Sequence, residues 1–243
     1  DHLMHADRHK DLNSDNIRST HEPQNINTQD TNIIFLGDSF TYGFLLSARA
    51  SIPNQFELKA RAAHPNLNIN AINFGWVSSS PLLDYRLLKT IGEKYKPDVV
   101  VLSLDLGDFG DDIIYTRMLE HRDIFLFARY LPGTTFLLES IANTLSDNQY
   151  ESLFGYPKSP MFANEWPLER SRPYIEAYSQ RIIDNIARYT TQELHAKFVL
   201  VMNPRSFQYS DREALQDWNR YMNKRTENSF EIFRYMDELH TTR

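Results

Sequence analysis

Apolar runs of four to seven residues alternate along this chain with longer stretches of helical periodicity, from about Thr31 onward. Runs of that length bounded by turn residues read as strands buried on both faces. The pattern predicts strands at Asn32–Leu36, Asn68–Asn73, Asp98–Leu104 and Lys197–Met202, with a last one at Phe230–Tyr235. Between them it predicts a helix over Ile52–Ala63. A second begins at Pro81, with Ser80 as its cap and Leu82, Tyr85, Leu88, Ile91 and Tyr95 at helical spacing. Further helices are expected over Thr116–Tyr130, Pro173–Leu194 and from Asp211 to about Lys224.

Strands alternating with helices of this length imply an α/β class protein: a three-layer α/β/α sandwich around a mostly parallel sheet. Residues 1–30 are polar and aperiodic, an irregular leader that packs on the surface of a single domain spanning 31–243. The stretch 110–165, with aromatic residues from Phe125 to Trp166, is expected to form core, or else a lid or insertion.

The segment Ile33–Gly43, reading IIFLGDSFTYG, carries the candidate chemistry. A serine just past the carboxyl end of a buried strand lies where open α/β sheets hold their ligands. Gly37 permits the sharp turn that lifts the Ser39 hydroxyl out of the sheet. Serine needs a base, itself oriented by a third group. Asp237 and His240 form a D-x-x-H pair close enough in sequence for the carboxylate to fix one imidazole tautomer. Asp38 is read as fixing the turn rather than taking part in the reaction.

The segment GDSFTYG resembles the first block of the SGNH (GDSL) hydrolase superfamily. Gly75 fits the second block, and Asp237 with His240 fits the last. Asn13, Ser14, Ile17 and Arg18 are similar to an N-S-x-G-x-R stretch of one subgroup, with Asn16 in the glycine's place. The resemblance implies a flavodoxin-like sheet, Ser39 as nucleophile, His240 as base and Asp237 as its orienting acid. It departs at the third block, where the family places an oxyanion-binding asparagine and this chain has Gly107. The implied oxyanion hole then consists of the Ser39 and Gly75 amides, joined by that of Gly107. Losing one such donor costs roughly 3 kcal/mol of transition-state stabilisation.

The implied activity is a serine-dependent ester hydrolase, an esterase or deacetylase acting on carbohydrate or small acyl esters, with no cofactor and no metal. Two alternatives stand beside it: an O-acyltransferase on a polysaccharide using the same residues, and a non-catalytic carbohydrate- or acyl-binding module. A phosphate or flavin binder is disfavoured because the first turn has no lysine to meet phosphate.

Composition narrows the partners. At 243 residues, 41% hydrophobic and 24% charged, the chain suits one sizeable core. A net charge of −6 offers no basic surface, so nucleic acid is not an expected partner. No apolar run reaches transmembrane length. With no cysteine the redox compartment is left open; the start at Asp1 is compatible with a removed signal peptide or anchor, and an extracytoplasmic location, secreted or periplasmic, is the one favoured. Asp105, Asp108, Asp111 and Asp112 are read as a solvated acidic loop rather than a calcium site. His2, His5 and His9 are read as part of the polar leader rather than as metal ligands.

Overall fold

Four of the expected apolar runs pair into one parallel sheet. The computed structural model describes residues 11–105, 107–120, 140, 144–154, 167–203, 231, 234, 235 and 238. Within them the strands are β1 (Thr31–Gly37), β2 (Ile69–Asn73), β3 (Val99–Asp105) and β4 (Lys197–Asn203), in the order β2-β1-β3-β4. Every pairing is parallel: Phe35 lies opposite Asn73, Gly37 opposite Ser103, and Asp105 opposite Asn203. Each strand falls within two residues of its expected bounds.

The helices are α1 (Ser39–Tyr42), α2 (Ile52–Ala63), α3 (Pro81–Ile91), α4 (Asp108–Glu120), α5 (Asp147–Phe154), α6 (Leu168–Tyr174) and α7 (Arg181–Arg188). A π-helical segment, Ile175–Gln180, joins α6 to α7, and another, Tyr189–Glu193, follows α7. This long helical stretch starts before the expected Pro173, which sits inside α6. α4 likewise begins earlier than the expected Thr116.

Because side chains alternate along a strand, the sheet presents two apolar faces. Ile34, Leu36, Ile72, Phe74, Val100, Leu102 and Leu104 join Leu88, Phe109, Ile113, Ile183 and Ile186 in the larger core. Ile33, Phe35, Ile69 and Ala71 form a smaller cluster on the other face, closed by Ala60 of α2. The result is the expected α/β/α layering.

Three local expectations are corrected. Ser80 precedes α3, but its side chain makes no capping bond; Asp112 of α4 accepts the Leu82 N–H at 2.9 Å instead. A carboxylate suits a helix N-terminus, whatever its distance in sequence. Glu231, Arg234, Tyr235 and Glu238 are helical rather than extended. Tyr235 is held there by its hydroxyl on Glu176 and by the Arg172 guanidinium 4.7 Å from its ring centre, contacts with the long helical stretch that override the strand-like pattern. Finally, part of the leader is more than surface. Residues 11–30 are irregular apart from a 3-10 turn at Pro23–Asn25, yet Ile17 and Ile26 are buried in the larger core.

The leader is also tied down by charge. Glu57 of α2 is buried; its Oε2 accepts the Ala71 N–H at 2.8 Å and lies 2.6 Å from His21 Nε2, while Arg61 reaches Oε1 at 3.0 Å. Burial alone raises a carboxyl pKa, but the His21 and Ala71 hydrogen bonds and the nearby charges outweigh it and hold Glu57 below its ordinary value. A depressed carboxyl pKa contributes stability that is present above the unfolded-state value and lost as pH falls through the folded one. Glu57→Gln should therefore cost roughly 1–3 kcal/mol at pH 7. In urea unfolding the gap from wild type should narrow as pH falls through the folded-state value of Glu57; a gap constant with pH would rule out this linkage.

Candidate active site

The polypeptide leaves β1 through a turn that admits little but glycine. Gly37 has φ 145°, and a Cβ there would lie 2.5 Å from Thr41 Oγ1 and 2.8 Å from the Ser103 carbonyl oxygen. Asp38 then caps the single turn of α1, accepting the Phe40 N–H on Oδ1 at 2.9 Å, in the fixing role its sequence context suggested. Ser39 is the first residue of that turn and half-buried. Gly43, left-handed at φ 76°, ends it by donating its N–H to the Phe40 and Ser39 carbonyls.

Ser39 lies at the switch point of the sheet, where β1 has β2 on one side and β3 on the other. Ligands of open α/β sheets bind in the crevice at that point. Both neighbouring strands deliver an expected residue to the same edge. After β2, Gly75 packs against α1 so closely that a Cβ would stand 2.4 Å from Tyr42 N and 2.8 Å from Thr41 C. Trp76 N–H donates to the Gly37 carbonyl at 2.9 Å, stitching the two turns together. After β3 comes Gly107.

The amides of these two glycines are already engaged. Gly75 N–H donates to Asn73 Oδ1 at 2.9 Å, and Gly107 N–H to Asp105 Oδ1 at 2.7 Å. Around the turn, Phe40 and Trp76 stand 58% and 51% exposed, with Phe44, Leu45 and Leu46 also open to solvent. The site thus has an apolar rim. Asp237 and His240 lie outside the described residues, as do the helix expected from Asp211, the three leader histidines and the aromatic residues Phe125, Phe127, Tyr130, Phe136, Tyr156, Phe162 and Trp166.

Behind the turn is a group of buried carboxyls, where a solvated acidic loop was expected. Asp84, Asp105, Asp108 and Asp112 are each at most 4% exposed, and Asp111 is half-buried. Asp84 accepts the Ser79 hydroxyl at 2.6 Å, and the Gly37 N–H is near enough to favour its charged form, so it sits beneath the Ser39 turn. Asp108 accepts the Asp105 N–H at 2.6 Å. Asp112 Oδ2 falls short of full hydrogen-bond geometry, although the Ser80 and Ser179 hydroxyls are near enough to favour its charged form.

Burial dominates the titration of all three. It pushes Asp84 up to about 8, with Asp112 and Asp38 adding repulsion against its Ser79 and Gly37 bonds. It pushes Asp112 to about 7 and Asp108 well above the ordinary range. Among the described residues no group of three or more His, Cys, Asp or Glu is arranged to hold a metal ion. Sequence reasoning passed over Asp84, yet it falls at helical spacing with Leu88 and Ile91, on the apolar stripe of α3. A carboxyl on such a stripe is the signal that could have found it.

A raised carboxyl pKa contributes stability that is fully present below the unfolded value and lost as pH rises through the folded one, here from about 4 to about 8. Asp84→Asn keeps the acceptor for Ser79 and Gly37 and removes the titration. The variant should match wild type at pH 4 and melt higher at pH 9, by about 2–4 °C for each kcal/mol relieved. Equal melting temperatures at pH 9 would mean that Asp84 carries no ionisation penalty.

No family model and no curated protein matches this chain. Among solved structures, the chain is similar to a protein of the G-D-S-L lipolytic family from Desulfitobacterium hafniense DCB-2, at 15% identity over 80% of this chain and 74% of that one, with a TM-score of 0.35. It is similar to AlinE4, an SGNH-hydrolase family esterase, at 18% identity over 71% of this chain and 77% of the other, TM-score 0.32. TesA matches at 15% identity over 69% and 77%, TM-score 0.31. Each likeness is remote.

Proposed function

We propose that the protein cleaves or transfers an ester-linked acyl group through a covalent intermediate on Ser39. One observation carries this reading. A half-buried serine opens a capped helical turn at the switch point of a parallel sheet, between two glycine turns from the adjacent strands. In the proposed reaction His240 takes the hydroxyl proton as Ser39 Oγ attacks the ester carbonyl carbon. The carbonyl oxygen becomes an oxyanion. On its collapse the alcohol leaves, taking the proton from His240, and the acyl group stays on Ser39. Asp237 orients His240 and stabilises the imidazolium. Water, losing a proton to His240, then attacks the acyl carbon, and as the acid leaves His240 returns that proton to Ser39 Oγ; a sugar hydroxyl in place of water makes the same steps an O-acyl transfer.

The oxyanion faces the Ser39 amide at the start of α1, where N–H groups have no intrahelical acceptor. The Gly75 and Gly107 amides join only by sharing their bonds with Asn73 and Asp105. A charged oxyanion is the stronger acceptor, but sharing weakens each donor. Slow turnover follows, and the exposed rim of Phe40 and Trp76 supports binding of the acyl or sugar portion. The same engaged amides favour a second reading, a non-catalytic module that holds an ester or carbohydrate in the crevice.

A fluorophosphonate separates the two. An active Ser39 attacks phosphorus and expels fluoride, adding the mass of the probe less HF at Ser39 and nothing in Ser39→Ala. No mass gained by the folded wild type refutes the acyl-enzyme and leaves the binding module. His240→Ala should slow labelling by at least about 1,000-fold. Gly107→Asn should raise the turnover of an aryl acetate by roughly 10–100-fold by restoring a side-chain donor. Unchanged turnover in a folded variant would place the oxyanion elsewhere.

A further inference from the structure

Three backbone carbonyls at the exit of the Ser39 turn converge on one side chain from the leader. Arg18 Nη1 donates to the Tyr42 carbonyl at 3.1 Å and to that of Gly43 at 2.7 Å, and Nη2 donates to that of Leu46 at 2.5 Å. The guanidinium carbon lies 4.6 Å from the centre of the Tyr42 ring, and Asp11 Oδ2 meets Nη2 at 3.3 Å. The same Asp11 oxygen accepts the Ala48 N–H at 3.2 Å, beyond the loop. Arg18 is 8% exposed, so little water competes for these bonds.

The leader is built to deliver this group. Asn13 folds a tight turn, its Oδ1 accepting the Asp15 and Ile17 amides and its Nδ2 donating to the His21 carbonyl and to Tyr95 Oη at 2.8 Å. Asn16 takes φ 61° within it. Asparagine is the residue other than glycine that most readily enters the left-handed region, so the turn survives the departure from the N-S-x-G-x-R pattern. Ile17 is then buried in the core, and Arg18 faces α1.

We propose that Arg18 is a positioning residue for Ser39, resting on the reading of Ser39 as nucleophile. The Tyr42 carbonyl ends α1, where carbonyls lack intrahelical partners and carry partial negative charge; that of Gly43, the cap, also accepts the Leu46 N–H at 3.0 Å, and that of Leu46 lies in the loop beyond. One fork-shaped cation that binds all three ties the end of α1 to the loop after it, fixing the exit of a turn only four residues long and with it the hydroxyl at its start. The leader is therefore a latch on the nucleophile, although it touches no substrate. A lysine keeps the charge but cannot reach three carbonyls in one plane.

The test is the kinetics of fluorophosphonate labelling at Ser39 in full-length wild type, Arg18→Lys and Arg18→Ala, resolved into maximal rate and probe affinity, with melting temperature measured in parallel. The expected result is a maximal rate lower by about 100-fold in Arg18→Ala, with probe affinity unchanged and a smaller loss in Arg18→Lys. Millimolar methylguanidinium should partly restore Arg18→Ala and leave wild type unaffected. Should Arg18→Ala fail to fold, Arg18→Lys and Asp11→Asn carry the comparison. Maximal rates within twofold of wild type in folded variants overturn the proposal, as does a loss that only follows the folded fraction. A folded wild type that is never labelled overturns the nucleophile reading, and this proposal with it.

Discussion

The site depends on backbone brought closer to backbone than any side chain allows. Gly37 and Gly75 let the ends of β1 and β2 approach α1, and β3 joins through the Ser103 carbonyl beside Gly37. A methyl group at either glycine would collide with main-chain atoms that hold the Ser39 turn, and no side-chain rotation relieves such a clash. The Trp76-to-Gly37 hydrogen bond closes the contact from outside. Ser39 is thereby set by the packing of three strand ends rather than by the reach of a flexible loop.

Much of this arrangement was legible in the sequence, for physical reasons that differ by element. β1 and β3 lie between neighbours, β1 buried on both faces and β3 fully on one and in part on the other, so their composition alone marks them. α2 matches its expected bounds because Pro53 favours its start and the polar His64-Pro65 stretch follows its end. The Ser39 turn shows through Gly37 and Gly43, whose backbone angles few other residues accept. Contacts between distant segments were not legible. Asp112 caps a helix that begins some thirty residues earlier, and Tyr235 is helical because Glu176 and Arg172 hold it. Arg18 stood out only as part of a resemblance. Nothing local showed that it would meet three carbonyls, because those carbonyls exist as a set only after α1 has formed.

The buried carboxyls show a conflict between stability and chemistry that burial itself resolves. An oxyanion forming above Ser39 would stand over Asp84, with Asp108 and Asp38 close by. Were those groups all ionised, their field would oppose the charge that the transition state develops, in surroundings too dry to screen it. Removal from water instead favours the neutral acid, holding Asp84 near 8 and Asp108 above the ordinary range. At neutral pH burial therefore favours the neutral form of Asp84, which still accepts the Ser79 hydroxyl beside the Gly37 N–H. The aspartates can then shape the backbone beneath Ser39 without adding their full charge to the crevice. Aspartates left in solvent would have stayed ionised. Burial thus places the acidic residues of β3, α3 and α4 in the packed layer behind the Ser39 turn rather than on its surface.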